Sequence, residues 1–285
     1  MASYLALPSA DRVDSLNGEF DPARFFCLIG TNHKDYNAVR FAVGPMSDGL
    51  VKIENAAVQG APRAYVYRSH SGHYGLVNSE EGYQNLVRFL FGDTFVAGIL
   101  ELQDLPLPPR IRREYEAGKQ IRVSYLFEST VTPRGAFDVN LTERRIDDAS
   151  AIFRTFDELF DENGQHPEAR SPQLFSVFLD SKKIEHGKTL VFTLVLAVRT
   201  TDYLVGKGPF QQRIPGEVLL DTRVTLRATM ADQHWRLRYV MASEDWSENE
   251  GREMAYVDGG AIMDLSSKKG CRARLHLKVS PWNRE

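Results

Sequence analysis

Three side chains among residues 48–73 have the types needed for acid–base chemistry. Asp48 lies in a loop rich in glycine and serine, and His70 and His73 lie in a second loop further along the chain. A histidine takes a proton from a nucleophilic hydroxyl when a carboxylate holds its ring in the correct tautomer. The pattern therefore predicts the acid and the base of a catalytic triad. The alternative is a pair of exposed loop histidines and an ordinary Asp-Gly turn.

Both loops follow apolar runs that favour β-strands. The run FFCLIG ends at Gly30, ahead of the Asp48 loop, and AYVYR over residues 64–68 precedes the histidines. Continuous apolar runs of this length are typical of strands that are covered on both faces, as in parallel sheets. The carboxyl ends of parallel strands meet at one edge of the sheet. Asp48 and a histidine are therefore expected at the same edge.

A helix is predicted directly after the histidine loop. Ser79 is a suitable N-cap, and the two glutamates that follow it place negative charge where the helix dipole favours it. Gly92 is a suitable terminator. One apolar face is formed at helical spacing by Tyr83, Leu86, Val87 and Leu90. Strand, loop, strand and helix over residues 24–92 together predict a parallel sheet flanked by helices.

The rest of the chain has a different pattern. From residue 121 onward it contains about seven alternating or β-branched segments separated by turn signals, which predict a mostly antiparallel β-sandwich. Residues 148–160 have near-helical spacing and predict one helix between strands. The proline- and charge-rich residues 101–120 predict a linker. The expected organisation is an α/β segment over residues 1–100, that linker, and a β-sandwich-like accessory domain over residues 121–285.

The loops of the first segment resemble those of α/β-hydrolase-fold lipases and esterases. Residues 72–77, GHYGLV, are similar to the G-H-x-G-L-L loop of small bacterial lipases. Residues 47–51, SDGLV, are similar to the acid loop of the lecithin–cholesterol acyltransferase and GPI-inositol-deacylase-like families. The resemblance covers residues 24–95. It implies part of an α/β-hydrolase parallel sheet, with Asp48 as the triad acid, His73 as the base and His70 as the alternative base.

The nucleophile that this family requires does not occur in the sequence. There is no G-x-S-x-G elbow, and the serines ahead of the first apolar run, Ser3, Ser9 and Ser15, lack a strand–turn–helix context. The resemblance therefore implies the C-terminal half of a serine hydrolase of carboxylic esters, present here as a fragment or split protein and inactive alone. A half-sheet exposes an edge and an apolar face, so residues 24–92 are expected to be poorly stable without a partner. The competing interpretation is a non-catalytic, β-rich binding module with a remnant hydrolase segment.

Composition excludes several other classes of protein. The net charge of −3 gives no basis for binding nucleic acid. Cys27 and Cys271 form neither a disulfide framework nor a metal motif, and no cofactor motif is found, so neither a metal nor a cofactor is expected. No apolar run reaches the length of a membrane span and no basic leader precedes an apolar block, so the default expectation is the cytoplasm. The expected partners are a lipid or other ester substrate, a complementing N-terminal half and, peripherally, a lipid surface.

Overall fold

Two antiparallel sheets, built from residue 94 onward, form the body of the protein. The computed structural model describes residues 15–36, 43–73, 75–134, 139–161, 165–183, 189–208, 211–231, 234–242, 244, 251–257 and 260–283. Strands are numbered below in chain order. The chain is mostly β, with 46% strand and 17% helix.

One sheet has five strands, in the spatial order β15-β16-β17-β3-β8. They are β3 (Thr94–Asp104), β8 (Gln173–Leu179), β15 (Ala255–Val257), β16 (Gly260–Ser266) and β17 (Arg272–Pro281). All their pairings are antiparallel. The strand β17 lies between β16 and β3, so distant parts of the chain meet in the middle of the sheet.

The second sheet has seven strands, in the order β14-β13-β12-β9-β5-β6, with β7 also paired to β5. They are β5 (Ser124–Pro133), β6 (Thr142–Arg144), β7 (Ile152–Thr155), β9 (Thr189–Thr200), β12 (Val218–Ala231), β13 (His234–Met241) and β14 (Arg252–Glu253). Successive side chains of a strand point to opposite faces. In β12 this places Val224 and Leu226 in the core that the two sheets share, and Arg223 and Arg227 in solvent.

Residues 101–120, predicted to be a linker, hold the end of β3 and a helix, α2 (Pro109–Glu116). The helix packs through Ile111 against a three-stranded sheet of β4 (Ile121–Arg122), β10 (Tyr203–Val205) and β11 (Gln212–Ile214). The predicted helix over residues 148–160 is present only as a short helix, α3 (Phe156–Leu159), which directly follows β7.

The first segment contains the expected strands and helix, as β1 (Cys27–Gly30), β2 (Arg63–Val66) and α1 (Glu80–Phe91). The two strands pair in parallel. The predicted α/β fold class is nevertheless wrong, because the described residues contain no parallel sheet of the α/β-hydrolase type. The strand after α1, β3, enters the antiparallel five-stranded sheet instead of extending the parallel pair.

The burial of β2 comes from contacts with both antiparallel sheets, through β6 of the seven-stranded sheet and β8 of the five-stranded sheet. The Tyr65 main-chain N–H donates to the Thr142 hydroxyl in β6 at 3.1 Å, and the Arg144 guanidinium lies 3.9 Å from the centroid of the Tyr65 ring. An apolar run therefore identified a strand that is covered on both faces. It did not identify what covers the strand.

The orientation of α1 is unusual for an amphipathic helix. Its buried side is polar: the Asn85 side chain donates to the Glu81 carbonyl within the helix and to the Leu141 carbonyl of the neighbouring segment, both at 2.9 Å. Apolar side chains on the other side are about half exposed, including Leu86 at 51% and Leu90 at 50%. None of the helices described is both long and apolar enough to cross a membrane.

Candidate acid–base site

The parallel pair β1–β2 delivers two candidate site residues to one edge. Asp48 lies in the loop after β1, and His70 lies in the loop after β2. Because the strands are parallel, both loops leave from the same end of the pair. This arrangement agrees with the position expected from the sequence, although the surrounding sheet does not.

Asp48 and His70 form a hydrogen-bonded pair. The His70 Nδ1 lies 2.9 Å from the Asp48 Oδ2, and the His70 main-chain N–H donates to the Asp48 carbonyl at 3.0 Å. The other carboxylate oxygen, Oδ1, accepts main-chain N–H bonds from Leu50 at 3.1 Å and Val51 at 2.8 Å. The Asp48 side chain is buried, at 7% exposure, whereas the His70 side chain is 45% exposed. The carboxylate is thus fixed within the protein and the imidazole faces outward.

This geometry selects one tautomer of His70. An ionised carboxylate only accepts hydrogen bonds, so a neutral His70 carries its proton on Nδ1 and presents the lone pair of Nε2. Within the described part of the chain, no side chain forms a hydrogen bond with Nε2. A partly exposed imidazole with an oriented ring and an open Nε2 is suited to accept a proton from a nucleophile or a water molecule.

Of the two candidate bases, the structure brings His70 to Asp48. His73 is exposed and lies three residues further on, beyond Gly72, which has a φ of 92°. The preference for His73 depended on its G-H-x-G context. A local motif of this kind does not specify the conformation of the loop. That conformation decides whether the ring of His70 or that of His73 reaches the Asp48 carboxylate.

Tyr36 joins the two loops and was missed in the sequence. Its hydroxyl accepts a hydrogen bond from the Ser71 main-chain N–H at 2.9 Å and lies 2.7 Å from the Ser71 hydroxyl. Its ring lies directly against Gly49, where an added Cβ would be 2.2 Å from the Tyr36 Cδ2. Gly49 also has a φ of 99°, which disfavours any other residue there. The Asp-Gly pair was the available signal, but it does not identify the aromatic partner.

A second connection holds the histidine loop against α1. The Arg68 guanidinium donates to both carboxylate oxygens of Glu81, each at 3.0 Å. Burial acts to raise the pKa of Glu81, but the hydrogen bonds and charge of Arg68 outweigh it, and the net pKa lies below its usual value. Arg68 lies two residues before His70, so this ion pair fixes the start of the loop.

The serines near the pair have structural roles. The Ser79 hydroxyl accepts from the Gly82 N–H at 3.0 Å and caps α1, as predicted, and the Ser71 hydroxyl contacts Tyr36. Ser15 accepts a main-chain hydrogen bond from Asn17, while Ser3 and Ser9 lie outside the described residues. No described serine hydroxyl lies within hydrogen-bond distance of the His70 ring. The described residues also contain no group of three or more side chains arranged to hold a metal ion.

Comparisons with protein-family models, with curated proteins and with solved structures give no match to this chain. The fold and the site together therefore define the class only as a two-sheet β protein with an aspartate–histidine pair at the edge of a small parallel sheet.

Proposed function

We propose that Asp48 and His70 are the acid and the base of a serine hydrolase of carboxylic esters, with the nucleophilic serine supplied from outside this sequence. In this proposal His70 Nε2 takes the proton from the serine as it attacks the ester carbonyl, and then donates it to the leaving alcohol. Asp48 holds the ring and stabilises the imidazolium that forms between these steps. A water molecule then attacks the acyl carbon bound to the serine while His70 Nε2 takes its proton; the carbon–serine bond breaks, the proton returns to the serine oxygen, and the carboxylic acid is released. Lipid esters are the substrate class suggested by the resemblance of the loops.

The observation that carries the proposal is the 2.9 Å contact between His70 Nδ1 and Asp48 Oδ2, while no side chain of the described residues bonds to Nε2. A surface histidine without a role does not require a buried carboxylate with two main-chain donors on its second oxygen. The exposed apolar side of α1 also supports a missing partner, because it leaves several large side chains in solvent. A complementing segment would provide both the serine and a cover for this surface.

A second candidate function is non-catalytic binding by the β-rich body. Two clefts of the β-rich body favour it, since neither is lined by Asp48 or His70. One has a volume of about 800 Å³ and lies over β5, β9 and β12, where Glu128 and Arg199 form an ion pair at 2.8 Å. In this case the parallel pair and α1 would serve only as packing for the sheets.

The test uses protein isolated from its native source, so that any chain carrying the nucleophile is retained. Ester hydrolysis and labelling by a fluorophosphonate probe are measured for the wild type and for His70→Gln, Asp48→Asn and His73→Gln. The first two substitutions are expected to lower kcat by at least about 100-fold, the scale of general-base catalysis. His73→Gln is the matched control, because it removes a histidine of the same loop that the structure does not pair with Asp48.

Full activity in both His70→Gln and Asp48→Asn would overturn the proposal. Loss of activity in His73→Gln alone would transfer the role of base to His73. Absence of hydrolysis and labelling in the wild type, under conditions where a known serine esterase reacts, would favour the binding function.

A further inference from the structure

A second cleft lies between the first segment and the β-rich body. Its volume is about 760 Å³, and its walls come from residues on both sides of Asp48 in the chain, from β2, and from β6, β7 and β8. Its charged lining consists mainly of cations: Arg63 of β2, Arg144 of β6, Arg154 of β7, and Lys52. The acidic side chain in the lining, Glu54, pairs with Lys52 at 3.4 Å.

Arg144 is the most deeply placed of these cations. It is only 9% exposed, its Nε donates to the Ser150 carbonyl at 3.0 Å, and its guanidinium stacks on the Tyr65 ring. Its two terminal nitrogens form no hydrogen bond with any residue that the structure describes, and the side chain lines the cleft. Neither nitrogen is among the described side-chain atoms that are both cut off from solvent and without a partner, so both can be reached from the cleft, where they can donate to an anion.

The neighbouring arginines add to the positive charge of the cleft and so favour an anionic ligand. Burial lowers the pKa of Arg144 to about 10; Tyr65 acts to raise it, and the charges of Arg63 and Arg154 lower it further. Among the described residues, no carboxylate forms an ion pair with Arg63, Arg144 or Arg154. Glu54, the carboxylate of the lining, pairs with Lys52 instead, and three like charges that share one cleft repel each other. An anion bound among them would remove that repulsion.

The rest of the lining indicates what accompanies the anion. Phe153, which is 47% exposed, forms part of the wall together with Val43 and Pro45, and Gln173 and Ser176 contribute polar groups. A ligand with an anionic head and an apolar or planar remainder fits such a lining. Guanidinium groups match phosphate oxygens in geometry, and a phosphate monoester carries more charge than a carboxylate.

We propose that this cleft binds a phosphate-bearing ligand, with Arg63, Arg144 and Arg154 holding the phosphate and the apolar wall contacting the remainder. The proposal is independent of the function assigned to Asp48 and His70, because it depends on different residues. Two sources of the phosphate are possible, a soluble phosphomonoester and a phospholipid head group, and both present the same chemistry to the arginines.

The experiment measures binding of inorganic phosphate and of glycerol 3-phosphate to the 285-residue chain by isothermal titration calorimetry. Arg63→Gln and Arg154→Gln are each expected to weaken binding by about tenfold or more, the effect of one charge-assisted hydrogen bond. Both side chains are partly exposed, so these variants are expected to fold even where Arg144→Gln does not. Arg112→Gln, an exposed arginine on α2, is the matched control and should bind like the wild type.

Vesicles of phosphatidylcholine with and without phosphatidic acid separate the two sources. A lipid source predicts co-sedimentation that requires phosphatidic acid and is lost in Arg63→Gln and Arg154→Gln. A soluble source predicts binding of glycerol 3-phosphate without co-sedimentation. No binding of either phosphate, equal loss in Arg112→Gln, or equal affinity for acetate would overturn the proposal. His70→Gln is expected to bind phosphate like the wild type. The phosphate measurements therefore test this proposal whether or not the hydrolase assignment is correct.

Discussion

Gly30 allows the end of β1 to approach the acid–base pair, and its replacement by alanine is a direct test of the site geometry. A Cβ added at Gly30 would lie 2.5 Å from the Arg68 carbonyl oxygen and 2.9 Å from the Asp48 Cβ. Neither atom is at the end of a flexible side chain. To reach the 3.4 Å at which ordinary contact begins, the carbonyl must retreat by about 0.9 Å and the Asp48 Cβ by about 0.5 Å.

The expected cost follows from these displacements. Forcing an extra methyl group into a well-packed site typically destabilises a protein by about 1–3 kcal/mol. The loss of glycine's unfolded-state freedom returns about 0.4–1 kcal/mol. Gly30→Ala is therefore expected to lower the free energy of unfolding by about 1.3 kcal/mol, the difference between the middles of these two ranges. A shift of about 0.5 Å is also enough to take a hydrogen bond of normal length outside its usual range, so the pairing of Asp48 with His70 should weaken.

Two measurements check this prediction. Urea unfolding gives the free energy, and long-range ¹H–¹⁵N spectra of the imidazole ring report which nitrogen of His70 carries the proton. Gly118→Ala is the control: Gly118 has a φ of 79° and no atom near its added Cβ, so it should cost about 1 kcal/mol and leave the His70 spectrum unchanged. A Gly30→Ala protein with wild-type stability and an unchanged His70 tautomer would refute the close approach described here.

Three further outcomes are expected. Arg68 lowers the pKa of Glu81, so this carboxylate stabilises the fold above about pH 4.5. The stabilisation is lost as the pH falls through the folded-state pKa. In urea titrations, Glu81→Gln should therefore cost about 1 kcal/mol at pH 7 and little at pH 3. Burial and two nearby carboxylates raise the pKa of Asp148 from 3.8 to about 6, so its ionisation lowers stability progressively between these two pH values and fully above the higher one. Asp148→Asn should therefore raise the urea midpoint at pH 8 but not at pH 4. Asn85→Ala should cost about 1–3 kcal/mol because it removes the hydrogen bond to the Leu141 carbonyl. Leu86 is exposed, so Leu86→Glu should change the free energy of unfolding by less than about 0.5 kcal/mol. Equal effects of the two substitutions would contradict the orientation of α1.

The two strands and the helix of the first segment were predictable because the residues that indicate each element lie within it or next to it. The apolar runs identified β1 and β2, and the Ser79 cap with its following glutamates identified α1. The parallel relation of the strands was also predicted, from continuous apolar runs that are typical of strands covered on both faces. The antiparallel character of the later strands followed from their alternation.

The neighbours of these elements were not predictable. Nothing in residues 94–104 shows that β3 pairs with β17 and β8 rather than with β1, because strand pairing over long separations depends on the whole chain. The apolar spacing of α1 correctly gave one apolar face but did not show that this face lies in solvent. The orientation of α1 is stabilised by the hydrogen bond from the Asn85 side chain to the Leu141 carbonyl. The spacing of apolar residues along the helix does not reveal such a contact.

The site was predictable to the level of its loops. Asp48 and a histidine were expected at the same edge, and the structure places Asp48 and His70 there. The choice between two histidines depends on the path of a few loop residues, which Tyr36 fixes through Ser71. That contact joins segments far apart in sequence and has no local signature.

The central position of β17 has a consequence for how the protein is made. This strand pairs with β3 on one side and β16 on the other, and Trp282, just beyond it, donates from its indole Nε1 to the Phe89 carbonyl of α1 at 2.7 Å. The five-stranded sheet therefore cannot close during synthesis until residues 272–281 have left the ribosome. Until then the edge of β3 that β17 covers has no partner, and an unpaired edge of this length is the kind that promotes aggregation.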